Sequence, residues 1–186
     1  MSGDDVDLGS LIRPGRVHRR LYTDPAIFEL EMFRLFGQTW VYLAHTSQLP
    51  LAGDFVQVRV GRRPVLVCRA EDGTVHALLN RCSHRGTKLE VAAQGCMKRF
   101  TCPYHGWTFV NDGRLVGVPF PGNYAALDRT ALGLGTVRVA EHRGFVFGSL
   151  AGDPPPLDDW LGPAAVFLDD QIDRHPDGAA ALFPRR

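Results

Sequence analysis

The chain has 186 residues, 45% of them hydrophobic and 22% charged, with 20 Gly and 13 Pro. That length makes one ordinary domain or two small ones and buries roughly two-thirds of the unfolded surface without disulfide staples; the composition excludes collagen-like, coiled-coil and wholly disordered chains. Lys and Arg number 21 against 20 Asp and Glu, so no charge excess draws the chain onto phosphate backbones or anionic lipid, and neither nucleic acid nor a membrane is an expected partner.

Residues 1 to about 20 mix Gly, Asp and Arg without periodicity and read as a lead-in. The opening MSGDDVDLGSL is acidic where a secretory signal is basic and then apolar, and no run nears the ~20 apolar residues of a membrane-spanning helix. The cytoplasm is the expected compartment. At Asp24-Pro25 a capping residue precedes a proline suited to the first helical position, and Ile27, Leu30, Phe33 and Phe36 form an apolar stripe ended by Gly37, which predicts a helix over about 24 to 37. From Trp40 the pattern is that of short antiparallel strands: WVYLAH, FVQVRV, PVLVCRA and TVHALL, separated by turns such as Gly53-Asp54 and Glu71-Asp72-Gly73. It resumes after residue 105 with GWTFV, a turn at Asn111-Asp112-Gly113, RLVGV, GTVRVAEH and GFVFGSL, giving a β-rich core over about 40 to 150. A stiff AGDPPP connection follows, then LDDWLGPAAVFLDDQ with helical periodicity interrupted at Gly162-Pro163.

Two segments depart from the strand pattern: Asn80-Arg81-Cys82-Ser83-His84-Arg85-Gly86 and Phe100-Thr101-Cys102-Pro103-Tyr104-His105-Gly106-Trp107. One residue separates Cys82 from His84, two separate Cys102 from His105, and 17 lie between His84 and Cys102. Two loops that each offer a thiolate and an imidazole suit a metal centre. One such centre is a closed tetrahedral zinc site. The other is a [2Fe-2S] cluster in which two neutral imidazoles replace two thiolates on one iron and so raise the potential, the Rieske arrangement. Zinc knuckles usually pair their ligands as Cys-x2-Cys or His-x3-His, and the single-residue gap of Cys82-Ser83-His84 is unusual for them. Gly86 and Gly106 stand beside both pairs, where tight loops need glycine. In the cluster reading bridging sulfides separate the irons, so Cys82 and Cys102 hold a buried iron while His84 and His105 hold an outer one nearer solvent.

The two boxes, Cys-x-His-Arg-Gly and Cys-Pro-Tyr-His-Gly-Trp, closely resemble those of the Rieske ring-hydroxylating oxygenases, non-haem iron enzymes that attack aromatic rings with dioxygen. The flanks VHRRLYTDPAIFELEMFRLFGQTWVYLAH, LAGDFVQVRVGRRPVLVCRAEDGTVHALLNRC and GFVFGSL extend the resemblance, over about residues 17 to 170, to the amino-terminal part of that family's large α subunit. With the strand pattern it implies an all-β chain: an antiparallel Rieske domain with a small cluster-binding subdomain, an amino-terminal helix and a short carboxy-terminal extension. The divisions are a lead-in and helix at 1–39, the Rieske domain at 40–150, and a linker with the start of a catalytic domain at 151–186.

The resemblance also implies that Cys82, His84, Cys102 and His105 bind the cluster, and that a flavin-containing reductase, directly or through a ferredoxin, supplies electrons one at a time. These pass to a mononuclear non-haem Fe(II), in the family commonly that of a neighbouring subunit; a catalytic domain and a β subunit are further expected partners. Two histidines and a carboxylate hold that iron and leave positions open for dioxygen. The two histidines lie within about a helical turn in the family, whereas no two histidines here are closer than His76 and His84, which flank the first box. The triad is therefore expected only outside this chain, in which no catalytic residue is expected and which is not expected to hydroxylate a ring alone. Ring selectivity is expected in that other domain, with flanks that lean towards the members acting on aromatic acids. A stand-alone Rieske ferredoxin is the alternative, against which the helix, the Trp40 strand and the 150–170 segment speak.

In the respiratory Rieske branch each loop carries an additional cysteine, and the two form a disulfide; Thr87 and Tyr104 occupy those places here. Trp107 stands where that branch tends to place a serine near a bridging sulfide, so the expected potential lies in the lower part of the ~−150 to +300 mV Rieske range. Arg85 and Lys88 either guide an acidic electron donor or solvate the loop, while Tyr104 and Trp107 are expected to shield the cluster. Cys68 and Cys96 read as structural, and His18, His45, His76, His142 and His175 have no assigned role.

Overall fold

A computed structural model describes residues 6–123 and 127–174. Within the lead-in, β1 (Ile12–Arg13) and β2 (Arg16–Val17) form a small antiparallel hairpin, followed by α1 (Arg20–Thr23). Gly15, with φ +75°, sits in the turn between them. The predicted helix is α2 (Pro25–Arg34). Asp24 caps it, its carboxylate accepting the Ala26 N–H at 2.9 Å, with Pro25 in the first turn. The helix ends before Gly37, and a Cβ at Gly37 would stand 2.5 Å from the Phe33 carbonyl oxygen, so only glycine lets the chain fold back here.

The β-rich stretch contains β3 (Trp40–His45), β4 (Asp54–Val60), β5 (Arg63–Arg69), β6 (Val75–Leu79), β7 (Gln94–Cys96), β8 (Arg99–Thr101), β9 (Thr108–Val110), β10 (Leu115–Gly117), β11 (Thr136–His142) and β12 (Phe145–Ser149). Seven strands form one antiparallel sheet in the order β3-β12-β11-β6-β5-β4-β7, and three form a smaller one in the order β10-β9-β8. The fold is all-β with antiparallel sheets, as the sequence predicts. Strands β7 and β8 are additional to the predicted set; each has three residues, too few for alternation to register.

Strand β5 explains how the large sheet carries the site. Val65 and Val67 point into a core with Leu43, Val56, Ala77 and Val146, while Leu66 and Cys68 point into another with Phe55, Phe100 and Phe109. The strand is buried on both faces, which is why it reads as a continuous apolar run rather than an alternating one. The second of these cores also includes Cys82, Leu89, Cys102 and Trp107, so the large sheet, the small sheet and both predicted cluster loops share one hydrophobic interior. Phe55 of β4 meets Phe100 of β8 edge to face, centroids 5.5 Å apart, across the junction of the sheets.

The carboxy-terminal segment forms α3 (Leu157–Leu161) and α4 (Ala165–Asp173), broken at Gly162 (φ +47°) and Pro163 as the sequence predicts. Leu157 and Leu161 pack on Trp40 and Phe147, and the Trp40 indole N–H donates to the Pro155 carbonyl at 2.8 Å. Helix α4 is tied to the β11–β12 turn through Arg143, which pairs with Asp173 at 2.5 Å, and through His142, whose Nε2 lies 2.9 Å from Asp169. Among the described residues no helix is long and apolar enough to cross a membrane. His175 lies outside the described residues.

Candidate metal centre

Two loops of equal frame carry the predicted ligands. The first follows β6, where the Cys82 N–H donates to the Thr87 carbonyl at 2.8 Å and the Gly86 N–H to the Cys82 carbonyl at 2.8 Å. The second joins β8 to β9, where the Cys102 N–H donates to the Trp107 carbonyl at 2.7 Å and the Gly106 N–H to the Cys102 carbonyl at 2.9 Å. Both glycines take positive φ, +77° at Gly86 and +69° at Gly106, which closes each loop as a side chain would not. The unequal Cys–His spacings of the sequence therefore lie on matching backbones, and one imidazole leaves its loop a residue later than the other.

The loops bring all four predicted residues together. Both thiols are buried, each 2% exposed, and they interact with one another. The two imidazoles are half-buried and meet edge to face with centroids 4.7 Å apart. Nδ1 of His84 and Nδ1 of His105 are both buried without a hydrogen-bond partner. A buried lone pair left unsatisfied is costly, and two of them on facing rings mark a place prepared for something that accepts them. The donors form a thiol pair and an imidazole pair, the division by which a Rieske [2Fe-2S] centre is held.

Electrostatics follow the same division. Burial pushes the Cys82 thiol up, against the backbone N–H groups of His84 and Arg85, which favour its anion. Burial lowers the pKa of His84, and the neighbouring His105 and Arg85 lower it further, keeping the imidazole neutral as a metal ligand must be. Cys68 is buried and apart from this group; desolvation pushes its pKa up to about 12, and its thiol donates to the Asn111 carbonyl at 3.2 Å. Cys96 is exposed on β7.

Three contacts at the site have no signal in the sequence motif. Asn80 is 1% exposed and closes the base of the first loop: its Oδ1 accepts the N–H groups of Leu89 and Glu90 at 2.9 and 3.0 Å, and its Nδ2 donates to the Gln57 side chain and the Glu90 carbonyl at 2.7 Å each. The Ser83 hydroxyl donates to the Leu132 carbonyl at 2.7 Å, drawing a distant loop over the first box. The Trp107 indole stacks on His84 of the opposite loop, centroids 4.7 Å apart. Tyr104 covers His105 at 3.7 Å and is itself 60% exposed. Arg81, Arg85 and Lys88 are exposed around the first loop.

Residues 39–138, more than half of the chain and the span of both loops, match the family described as the Rieske [2Fe-2S] domain. The chain belongs to the Rieske [2Fe-2S] domain family. Its Rieske domain resembles those of dioxygenase α subunits. It is 46% identical over 167 residues to the large subunit of anthranilate 1,2-dioxygenase from Acinetobacter baylyi, a match covering 88% of this chain and 35% of that one. It is 39% identical to the α subunit of biphenyl 2,3-dioxygenase from Rhodococcus jostii, covering 96% of this chain and 39% of the relative. The crystal structure of naphthalene 1,2-dioxygenase from a Rhodococcus species superposes with a TM-score of 0.84 at 36% identity, over 92% of this chain and 40% of that one. The chain thus spans 35 to 39% of the length of these curated relatives. A Rieske domain implies a [2Fe-2S] cluster, and the paired donors with their two unsatisfied Nδ1 atoms fit that group.

Proposed function

We propose that the chain is the electron-transfer part of an aromatic ring-hydroxylating dioxygenase α subunit, with Cys82 and Cys102 as ligands of one iron and His84 and His105, through Nδ1, as ligands of the other. The two buried, unpartnered Nδ1 atoms on facing imidazoles carry this assignment. When bound, a cluster held by this donor set supplies one-electron transfer at a potential above that of all-thiolate clusters. The chain's own residues do the rest. The shared core around Cys82, Cys102 and Trp107 excludes water from the thiol side, and the loop N–H groups favour the thiolate form. The half-buried imidazoles leave the histidine side as the side open to redox partners.

The remaining assignments follow from the same reading. Residues 40–150 form the Rieske unit, 1–39 its lead-in and helix, and 151–186 a linker with the start of a catalytic domain that holds the mononuclear iron in the α subunit. A flavin reductase or ferredoxin with an acidic face docks near the exposed Arg85 and Lys88, and a β subunit completes the oxygenase. The α-subunit reading is favoured over a stand-alone ferredoxin because the likeness to dioxygenase subunits covers 88 to 96% of the chain, beyond the cluster-bearing core alone.

Anaerobic mixing with a flavin reductase and NADH tests the proposal. The expected result is loss of visible absorption equivalent to a single electron per chain, slowed by added salt, with a voltammetric midpoint in the lower part of the ~−150 to +300 mV range. Failure to take up an electron from any reductant, or a midpoint well above zero, contradicts it.

A further inference from the structure

The two imidazoles are held in place by different means. His105 lies beneath Tyr104 of its own loop, with ring centroids 3.7 Å apart and planes at 33°. His84 stacks on a residue of the other loop: the Trp107 indole lies 4.7 Å away with its plane only 8° from parallel, and it is 3% exposed. The backbone bonds that close the first loop, Cys82 N–H to Thr87 and Gly86 N–H to Cys82, fix the main chain at His84 but not the rotation of its ring. No hydrogen bond holds its Nδ1. The flat face of the indole restricts the ring plane, which confines Nδ1 to two places related by a half-turn about Cβ–Cγ. Trp107 also closes the second loop, since its carbonyl accepts the Cys102 N–H at 2.7 Å.

We propose that Trp107 is the positioning residue for His84: one residue of the second loop both closes that loop on Cys102 and sets the ring plane of the imidazole contributed by the first. This inference rests on the reading of His84 as a cluster ligand. Position 107 then requires a flat ring, because an aliphatic side chain presents no flat face to the imidazole plane. The effect is directed at one ligand. His105 is held from the side of Tyr104 by a contact that Trp107 does not make.

Pulsed EPR of the reduced full chain, labelled with 15N-histidine and purified anaerobically, separates the two ligand nitrogens. In Trp107→Leu one histidine coupling is expected to shift and broaden while the other stays at its parental value, and in Trp107→Phe both are expected at parental values. Unchanged couplings in Trp107→Leu, or equal changes in both, overturn the inference. Should Trp107→Leu hold no cluster, Trp107→Met is compared with Trp107→Phe: the inference requires Phe to match the parent and Met to differ, and identical spectra overturn it. Absence of two histidine couplings in the parent refutes the ligand reading itself, a result distinct from two parental couplings that ignore position 107.

Discussion

The side-chain oxygen of Asn80 accepts the backbone N–H of Leu89 at 2.9 Å, joining the residue that opens the first cluster loop to the segment that ends it. The same oxygen takes the Glu90 N–H at 3.0 Å, and the amide nitrogen spans to Gln57 of β4. Asn80→Ala leaves two main-chain donors without partners in a largely dry site, at about 1–3 kcal/mol each. The expected loss is about 2–6 kcal/mol of unfolding free energy by urea denaturation, with faster cluster loss in air. A change under about 0.5 kcal/mol, the range of neutral surface substitutions, contradicts the role given to Asn80.

The two loop glycines differ in what surrounds them. A Cβ at Gly86 would stand 2.9 Å from Nε of Arg81, a flexible side chain that can move aside, whereas a Cβ at Gly106 would stand 2.8 Å from Cγ of the Pro119 ring. Both substitutions force a non-glycine residue into positive φ at about 1–2 kcal/mol. Gly106→Ala adds the collision with Pro119, so thermal denaturation and iron retention are expected to suffer more in Gly106→Ala than in Gly86→Ala. The reverse order would show that the rigidity assigned to Pro119 is wrong.

Acid is expected to loosen α4 before the sheet. His142 beside Asp169, and Arg143 beside Asp173, hold both carboxyls below the usual carboxylate range. A folded-state pKa below the unfolded one means that the stabilisation is complete above about pH 4 and disappears as pH falls through the folded values. Both side chains are solvent-accessible, so salt weakens the effect. Hydrogen exchange read between about pH 5 and pH 3, corrected for intrinsic rates, is expected to show α4 losing protection ahead of β5. Simultaneous loss in both elements, or none in α4, is the contrary result.

The two cysteines outside the boxes are expected to behave oppositely toward a maleimide. Cys96 is exposed, while Cys68 is buried with its pKa pushed up to about 12. Mass spectrometry of the native protein at neutral pH should find Cys96 labelled and Cys68 labelled only after unfolding. Labelling of Cys68 at a comparable rate would mean that the core around Leu66 and Phe109 opens readily.

What the sequence reveals and what it hides both have physical reasons. FVQVRV and GFVFGSL announce strands because their β-branched and aromatic residues recur in runs long enough to read. QGC and RFT do not, since β7 exists through its pairing with Asp54–Val56 of β4 and β8 through its pairing with β9. The four candidate ligands are legible from residue type and spacing, because thiol and imidazole donors arranged in this way have few other uses. Asn80 looks like any polar loop residue until its four side-chain hydrogen bonds are known, and the stack of Trp107 on His84 arises only when two distant loops meet. His142 carries no motif; Asp158 and Asp169, on separate helices, give it its surroundings.

Iron and acid-labile sulfide, counted per chain in anaerobically purified protein and in its Cys82→Ser variant, decide whether the two loops hold a [2Fe-2S] cluster. Two irons with two sulfides are expected in the parent and neither in the variant. Zinc without sulfide, or an unchanged cluster after loss of the Cys82 thiol, would contradict it.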